Sequence, residues 1–372
     1  MIKPAEVIKT RGPKHIEIEI FSSCQLQCVT CGRWRNNNKS YSMPFAKIKA
    51  LIEEFAKIGV DSVIISGGEP TLHECFNETL RLISERKIDL VIFTNGYCNE
   101  ISVWDSMVEY ANTIVVSLDG PSPEVHDNIR GRHGSFNRAK ELIQYILFQR
   151  NQRKGKDFPQ IGINHTISSA NTQYIKEMVM VAKSMSVDYI RLSPAYGLSI
   201  KHHTEDSVRN LRENLINASA SWNDGVYLSS HAELLKCNEI NSVDFIQGRP
   251  IHRLLKKHPV NCYICNSFML IDTNGDVYPC TSCRYSNDSD QNAKSARIQY
   301  KMGNVFTDGL LHVWNGTMYN DFRDQLQSNK PQNYPEACGG CPFYIDFRQI
   351  EKELSLYAVK LSDKLYEFSI ED

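Results

Sequence analysis

The chain has 372 residues, a length that suits one large and one smaller domain. Of these residues 41% are hydrophobic and 23% are charged, which is ordinary for a globular protein. A formal net charge of −1 gives no electrostatic reason to expect nucleic acid or an anionic membrane as a partner. No apolar stretch has the length of a signal-peptide core or of a membrane span, so the sequence predicts a cytoplasmic protein. The twelve cysteines are therefore expected to be reduced thiols and metal ligands rather than disulfides.

Strands and helices alternate from residue 16 to about residue 194. The alternation of Ile16, Ile18 and Ile20 predicts a first strand, and apolar runs predict five more over residues 62–66, 90–94, 114–118, 160–167 and 188–193. Helical spacing predicts helices over residues 45–58, 75–85, 103–111, 136–150 and 174–184, the first with Ser42 as its N-cap. Six βα units predict an α/β fold, a partial (β/α)6 TIM-like barrel with its active site at the C-terminal ends of the strands.

Three cysteines follow the first predicted strand at a spacing that suits a metal cluster. Cys24, Cys28 and Cys31 are separated by three and then two residues, and three thiols on one loop can bind three corners of a cubane iron–sulfur cluster. Because the loop lacks a fourth thiol, one iron would keep an open site for an exogenous ligand. A zinc site, or three unrelated cysteines, is the alternative for this triplet alone.

The CxxxCxxC loop resembles that of the radical S-adenosylmethionine (SAM) family. The resemblance implies that Cys24, Cys28 and Cys31 hold a [4Fe-4S] cluster whose open iron binds SAM. The next strand ends in a second family motif, GGEP, where two glycines allow close backbone approach and the glutamate supplies an acceptor. In the family this stretch holds the methionyl amino group of SAM, and here it consists of Gly67, Gly68, Glu69 and Pro70.

The following strand ends supply further candidates for cofactor contacts. The matching family segments touch the ribose and carboxylate of SAM, which implies contacts from Thr94, Asn95, Ser117 and Asp119. Arg130 lies in a run, HDNIRG, that resembles the auxiliary-cluster branch of the family, and its guanidinium suits a carboxylate. An ion pair or helix cap is the alternative for Arg130 and Asp119. His165, on the fifth strand, is either a SAM or substrate contact or a structural histidine.

Cysteines become frequent again near the C-terminus, around a predicted hairpin with an Asn274–Gly275 turn. This region resembles the SPASM or twitch domain of the same family, which binds auxiliary iron–sulfur clusters. Two all-cysteine clusters need eight ligands and the region offers six, so one auxiliary cluster is expected. The six cysteines are Cys262, Cys265, Cys280, Cys283, Cys338 and Cys341. The expected ligands are Cys280, Cys338 and Cys341 with Cys262, or with Cys265 in its place, and a zinc ribbon is the local alternative.

These features divide the chain into four segments. We expect a radical SAM partial barrel over residues 14–195, a linker or insert over 196–261, a SPASM/twitch-like auxiliary domain over 262–345 and a C-terminal helix over 346–372. A further helix is predicted within the linker, over residues 208–220.

The resemblance implies an enzyme that reductively cleaves SAM to a 5′-deoxyadenosyl radical, which abstracts a hydrogen atom from its substrate. The expected reaction is oxidation or cross-linking of a peptide or protein side chain, with an electron donor such as flavodoxin or ferredoxin as partner. One alternative is oxidation or epimerisation of an aminosugar, nucleoside or other small polar metabolite, in which Cys265 or Cys283 could donate a hydrogen atom. A non-catalytic zinc or iron–sulfur protein is the alternative from another class.

Overall fold

Six parallel strands form the centre of the molecule. The computed structural model describes residues 12–31, 40–152, 158–194, 226–228, 249–250, 264–285 and 300–327. The six strands pair in chain order, each with the next. They are β1 (His15–Phe21), β2 (Ser62–Gly67), β3 (Asp89–Thr94), β4 (Thr113–Ser117), β5 (Gln160–Ile167) and β6 (Tyr189–Pro194). The predicted partial (β/α)6 barrel is confirmed.

Helices follow the strands, as a barrel of βα units requires. The helices between the strands are α1 (Phe45–Ile58), α2 (Phe76–Glu85), α3 (Ile101–Tyr110), α4 (Pro123–Arg130), α5 (Ser135–Gln152) and α6 (Ile175–Ser184). Short 3₁₀ turns cover Pro70–Leu72, Thr172–Tyr174 and Ile264–Asn266. None of the helices in the described segments is long and apolar enough to cross a bilayer.

Five further strands extend the sheet at both edges. Beyond β6 lie β7 (Val226–Leu228), parallel to it, and β8 (Arg249–Pro250), antiparallel to β7. On the other side β9 (Phe268–Ile271) pairs in parallel with β1, and β10 (Asp276–Tyr278) and β11 (Gly303–Asn304) complete an antiparallel edge. The C-terminal part adds α7 (Thr281–Tyr285), α8 (Val305–Asp308), α9 (Leu310–Trp314) and α10 (Thr317–Gln327).

The two faces of the sheet differ in polarity. One face, here the outer face, carries Val116 and Ile163, which are paired in register, and α5 packs against β4 on this side. The opposite face, here the inner face, carries polar side chains from three strands: Glu17, Glu19, Asn164, Thr166 and Ser193. The apolar outer face binds the helices through burial of its side chains, which leaves the polar inner face for the lumen of the barrel.

Three local differences from the predictions have clear physical reasons. Ser42 is not the N-cap of α1, because its backbone is extended in a bridge with Phe21 and the helix begins only after Pro44. The helix α4 had not been predicted, since it is only eight residues long and mostly polar. The predicted hairpin is present but joins the barrel sheet through β9, a long-range pairing that local patterns do not reveal. The predicted helices over 208–220 and 346–372 lie outside the described residues.

Candidate functional site

The loop that carries the first three cysteines leaves the C-terminal end of β1. This loop, the cysteine loop (residues 22–31), is fixed by backbone hydrogen bonds to the end of α4. The Gln27 N–H donates to the Arg130 carbonyl (3.1 Å), and the Val29 N–H donates to the Ile129 carbonyl (2.8 Å). The end of the unpredicted helix α4 therefore helps to hold the cysteine loop over the strand ends.

Nitrogen donors point at two of the three thiols. The Cys24 sulfur accepts from the Leu26 N–H and from the Asn95 side-chain amide, each at 3.4 Å. The Cys28 sulfur accepts from Nη1 of Arg130 at 3.7 Å. Hydrogen bonds of this kind favour thiolate over thiol, and they tune the reduction potential of a thiolate-ligated cluster.

Burial of Cys24 and Cys28 opposes their ionisation when no metal is bound. It raises the pKa of Cys24 to about 12, and the neighbouring Glu69 carboxylate adds to the effect. Burial also raises the pKa of Cys28, against the opposing charge of Arg130. Coordination to iron removes the proton from a thiol outright. Three soft thiols, two of which accept hydrogen bonds from nitrogen donors, are therefore a donor set that fits an iron–sulfur cluster.

The geometry of the thiols differs from that of a site for one ion. Within the described segments, no group of three or more His, Cys, Asp or Glu side chains could hold a single metal ion. Each thiolate of a cubane cluster binds its own iron, so the ligands of a cluster need not converge on one point. Cys28 is buried, whereas Cys24 and Cys31 are half-buried.

Two glycines at the end of β2 pack directly against the end of β1 and the start of the cysteine loop. A Cβ atom on Gly67 would lie 2.3 Å from the Phe21 carbonyl oxygen, and one on Gly68 would lie 2.1 Å from that of Ser23. The Gly68 N–H instead donates to the Phe21 carbonyl (2.7 Å), and the Glu69 N–H donates to the Ser23 carbonyl (2.9 Å). Only glycine permits this approach, which explains the GG of the motif.

The buried Glu69 carboxylate connects the ends of β2 and β3. Its Oε1 accepts from the hydroxyls of Thr71 (2.8 Å) and Thr94 (2.7 Å), and its Oε2 accepts from the Asn95 N–H (2.7 Å). Burial nevertheless raises the pKa of Glu69. The predicted residues Glu69, Thr94 and Asn95 are thus brought together, and their contacts to SAM stay predictions.

Asn95 links this carboxylate to the cysteine loop. Besides its bond to Cys24, its Oδ1 accepts from the Tyr97 N–H (2.7 Å), and Gln25 of the loop donates to the Tyr97 carbonyl (2.8 Å). Gln25 was not singled out from the sequence. Its position between the first two cysteines is the signal that could have identified it.

Asp119 and Arg130 form a buried ion pair, with Nε and Oδ2 2.8 Å apart. Burial opposes the charge of Arg130, but Asp119 and the Cys28 sulfur outweigh it and raise its pKa. The other Asp119 oxygen accepts from the Thr166 N–H (2.7 Å). The ion pair that was the alternative for these residues is present. Because Arg130 Nη2 is buried without a hydrogen-bond partner in the described part of the chain, a donor for an anionic ligand also remains.

Two buried histidines hold the peptide bond between Leu118 and Asp119. The Asp119 N–H donates to His126 Nδ1 (3.0 Å), and His165 Nδ1 lies 3.1 Å from the Leu118 carbonyl oxygen. Burial lowers the pKa of both, that of His126 to about 3, and thereby favours the neutral form of each ring. His165 shares the outer face with Ile163, opposite to Asn164. This placement favours the structural alternative for His165, and its SAM or substrate contact stays a prediction.

Ser117 ends β4 on the inner face, where it is paired in register with Asn164. It is only half-buried, so its side chain faces the lumen near the other strand ends. The proposed contact of Ser117 with SAM stays a prediction.

Three of the six C-terminal cysteines lie in the described residues. Cys265 belongs to the 3₁₀ turn before β9, and Cys280 and Cys283 lie at α7, where the Cys283 N–H donates to the Cys280 sulfur (3.4 Å). All three are buried, and burial raises the pKa of Cys265 to about 12. Cys262, Cys338 and Cys341 lie outside the described residues.

Two family models match the chain. The model of the radical SAM superfamily matches residues 18–147, and that of the SPASM iron–sulfur cluster-binding domain matches residues 262–342.

Relatives of known name align with the chain, one over about half of its length and another over most of it. The AdoMet-dependent heme synthase of Methanosarcina barkeri is 30% identical over 181 residues, which is 48% of this chain and 50% of that protein. The mycofactocin maturase MftC of Mycobacterium tuberculosis is 24% identical over 340 residues, covering 89% of this chain and 76% of that one. Streptococcus suis SuiB, bound to its precursor peptide SuiA, superimposes with a TM-score of 0.61 at 22% identity over 84% of this chain and 67% of that one. This last likeness shows a common fold.

Proposed function

Because the chain belongs to the radical SAM superfamily and carries a SPASM iron–sulfur domain, we propose that it is an enzyme that modifies a peptide side chain by radical chemistry. The observation that carries the proposal is the cysteine loop itself. Its sulfurs accept hydrogen bonds from Asn95 and Arg130, which belong to the ends of two other βα units. In a cysteine-ligated iron–sulfur cluster, hydrogen bonds to the sulfurs tune the reduction potential.

Each residue of the site has a definite task in this proposal. When bound, a [4Fe-4S] cluster with one open iron supplies the electron that cleaves SAM to methionine and a 5′-deoxyadenosyl radical. Cys24, Cys28 and Cys31 hold that cluster, and Asn95 steadies the Cys24 sulfur. Arg130, oriented by Asp119, offers its remaining donor to the carboxylate of SAM.

The GGEP turn and the strand ends supply the rest of the SAM site. The backbone of the GGEP turn lies against the cysteine loop, where its carbonyl oxygens can accept hydrogen bonds from the methionyl amino group of SAM. The turn consists of Gly67, Gly68, Glu69 and Pro70. The Glu69 side chain holds Thr94 and Asn95, at the end of β3, beside this turn. Ser117 is left to contact the ribose.

The SPASM region supplies an auxiliary iron–sulfur site. We assign Cys280, Cys338 and Cys341 to it, with Cys262 or Cys265 as the fourth ligand. The full burial of Cys265 next to the Cys280 region favours a ligand over a hydrogen-atom donor, since a donor must reach the substrate. Cys283 is equally buried, which argues against a role as hydrogen-atom donor for this thiol as well.

The choice of a peptide as substrate rests on the relatives and on the lumen. SuiB binds a precursor peptide, and MftC is a maturase. The inner face offers polar groups such as Asn164, which accepts from the Ser193 hydroxyl (2.8 Å), and Glu17, which accepts from the Ser66 hydroxyl (2.6 Å). Such groups suit a polar substrate, as a peptide is. A small-molecule substrate is the second candidate, because the M. barkeri relative is named a heme synthase.

Anaerobic reconstitution tests the proposal. We expect about eight irons per chain, as two [4Fe-4S] clusters require, and release of 5′-deoxyadenosine from SAM with dithionite. The Cys24/Cys28/Cys31→Ala variant should retain about four irons and release none. Zinc in the C-terminal site would exclude the auxiliary cluster alone, whereas absence of iron at the triplet and of SAM cleavage would contradict the whole proposal.

The substrate class needs a separate assay. The reconstituted enzyme is incubated with SAM, dithionite and a peptide encoded beside its gene, and in parallel with an iron porphyrin. Loss of two hydrogens from the peptide mass would support peptide oxidation, and a change in the porphyrin alone would favour the second candidate.

A further inference from the structure

A buried arginine lies beside the C-terminal cysteines. Arg323 of α10 is only 4% exposed, and its guanidinium packs over the neighbouring rings of Trp314 and Tyr319, whose centroids are 4.2 and 4.3 Å away. Its Nε donates to the backbone carbonyl of Cys265 at 3.0 Å. The side chain thus fixes the turn that carries this cysteine.

The positive charge of Arg323 is not balanced by its own hydrogen bonds. Its Nη1 donates to the Trp314 carbonyl (2.8 Å) and to Asn320 Oδ1 (3.0 Å), so all its acceptors in the described segments are neutral. Nη2 is buried without a hydrogen-bond partner in those segments. A buried cation in this state is costly, although the two aromatic rings offset part of the cost.

The charge of a second arginine in the same region is balanced by carboxylates. Arg284, next to Cys283, lies 3.2 Å from a Glu19 carboxylate oxygen and 3.8 Å from one of Asp272. Two carboxylates therefore neutralise Arg284 within the protein. In the described segments no carboxylate forms a hydrogen bond or salt bridge with Arg323, and a thiolate-ligated iron–sulfur cluster carries net negative charge.

We propose that Arg323 is a positioning residue for the auxiliary iron–sulfur cluster, whose negative charge it balances and whose reduction potential it raises. The inference rests on the assignment of Cys265 and Cys280 to the auxiliary site. Reduction adds one electron from an external donor and increases the negative charge of the cluster, so a nearby cation stabilises the reduced form. Net charge and hydrogen bonds are established determinants of cluster potential.

The test uses the Cys24/Cys28/Cys31→Ala chain, which isolates the auxiliary cluster. Its potential is measured by dithionite titration followed by electron paramagnetic resonance, with Arg323, Arg323→Gln and Arg323→Lys compared. We expect Arg323→Gln to lower the equilibrium constant for reduction of the cluster at least tenfold, which is 59 mV for a one-electron couple. Arg323→Lys keeps the positive charge and should restore most of this loss. Arg138→Gln removes an exposed, ion-paired charge and should leave the potential unchanged.

Iron content and thermal unfolding separate the outcomes. The proposal is supported if only the Arg323→Gln variant has a lower potential, or if Arg323→Gln loses the cluster and Arg323→Lys does not, at an unchanged melting temperature. It is overturned if Arg323→Gln has an unchanged potential, or if Arg323→Gln and Arg323→Lys lose the cluster equally, and the assignment of the auxiliary site would then stand. If the parent chain itself binds no iron–sulfur cluster, the ligand assignment fails together with the proposal.

Discussion

At the scale of single residues, the amide of Asn95 joins the cysteine loop to the end of β3. It donates to the Cys24 sulfur while its backbone N–H donates to Glu69. Asn95→Asp keeps the shape but replaces the donor with a negative charge beside the sulfur. Since hydrogen bonds to charged groups are worth about 1.5–3 kcal/mol, we expect SAM cleavage to fall roughly 10- to 100-fold.

The cleavage rate is measured as 5′-deoxyadenosine formed under excess dithionite, together with iron content. Tyr97→Phe provides the control, because it removes only an exposed hydroxyl that accepts from Arg132 at 3.3 Å. Equal rates in Asn95→Asp and wild type, at equal iron content, would show that the bond to sulfur has no role in the reaction.

At the scale of elements, the GGEP turn and the cysteine loop act as one unit. Gly68→Ala would place a methyl group 2.1 Å from the Ser23 carbonyl oxygen, which neither backbone can accommodate. We therefore expect loss of the SAM-site cluster, about four irons of eight, and retention of the auxiliary cluster. Iron and sulfide analysis with SAM cleavage measures this.

Gly59→Ala is the matched control for that substitution. Gly59 ends α1 with φ +75° and has open space around its Cα, so alanine adds backbone strain of roughly 1–2 kcal/mol without reaching the loop. Full iron content in Gly68→Ala would disprove the coupling of the two segments.

The elements also show what could be predicted from the sequence. The first barrel strand alternates apolar and polar residues, the other five are largely apolar runs, and five helices have strong periodicity, so local patterns were sufficient. The cysteines and GGEP were found through spacing. The helix α4, the side chain of Gln25 and the role of His126 were missed, because short polar helices and side-chain hydrogen bonds to distant backbone leave no periodic signal.

The same limit applies to long-range pairing. Residues of β9 follow those of β1 by some 250 positions in the chain, yet His15 is paired with Phe268 and Ile18 with Ile271. Nothing in either strand specifies the partner. Asp119 and Arg130, by contrast, are close in sequence, and their ion pair was foreseen as one of two alternatives.

At the scale of the whole molecule, β1 belongs to both cluster regions. It pairs with β2 on one side and with β9 on the other, and the cysteine loop leaves its end. All four residues of β9, Phe268, Met269, Leu270 and Ile271, are at most 1% exposed. At about 1.5–3 kcal/mol for each buried side chain, β9 contributes about 6–12 kcal/mol as an upper estimate.

That contribution is as large as the whole stability of a typical domain, about 5–15 kcal/mol. A chain that ends at residue 261 loses β9 and exposes the edge of β1, so we expect it to aggregate or to unfold without cooperativity. Thermal unfolding followed by circular dichroism, with iron content of the cysteine loop, measures this outcome. A truncated chain that unfolds cooperatively and still cleaves SAM would show that the barrel is independent of the C-terminal hairpin. The expected failure would instead mean that the two cluster regions fold as one unit around β1.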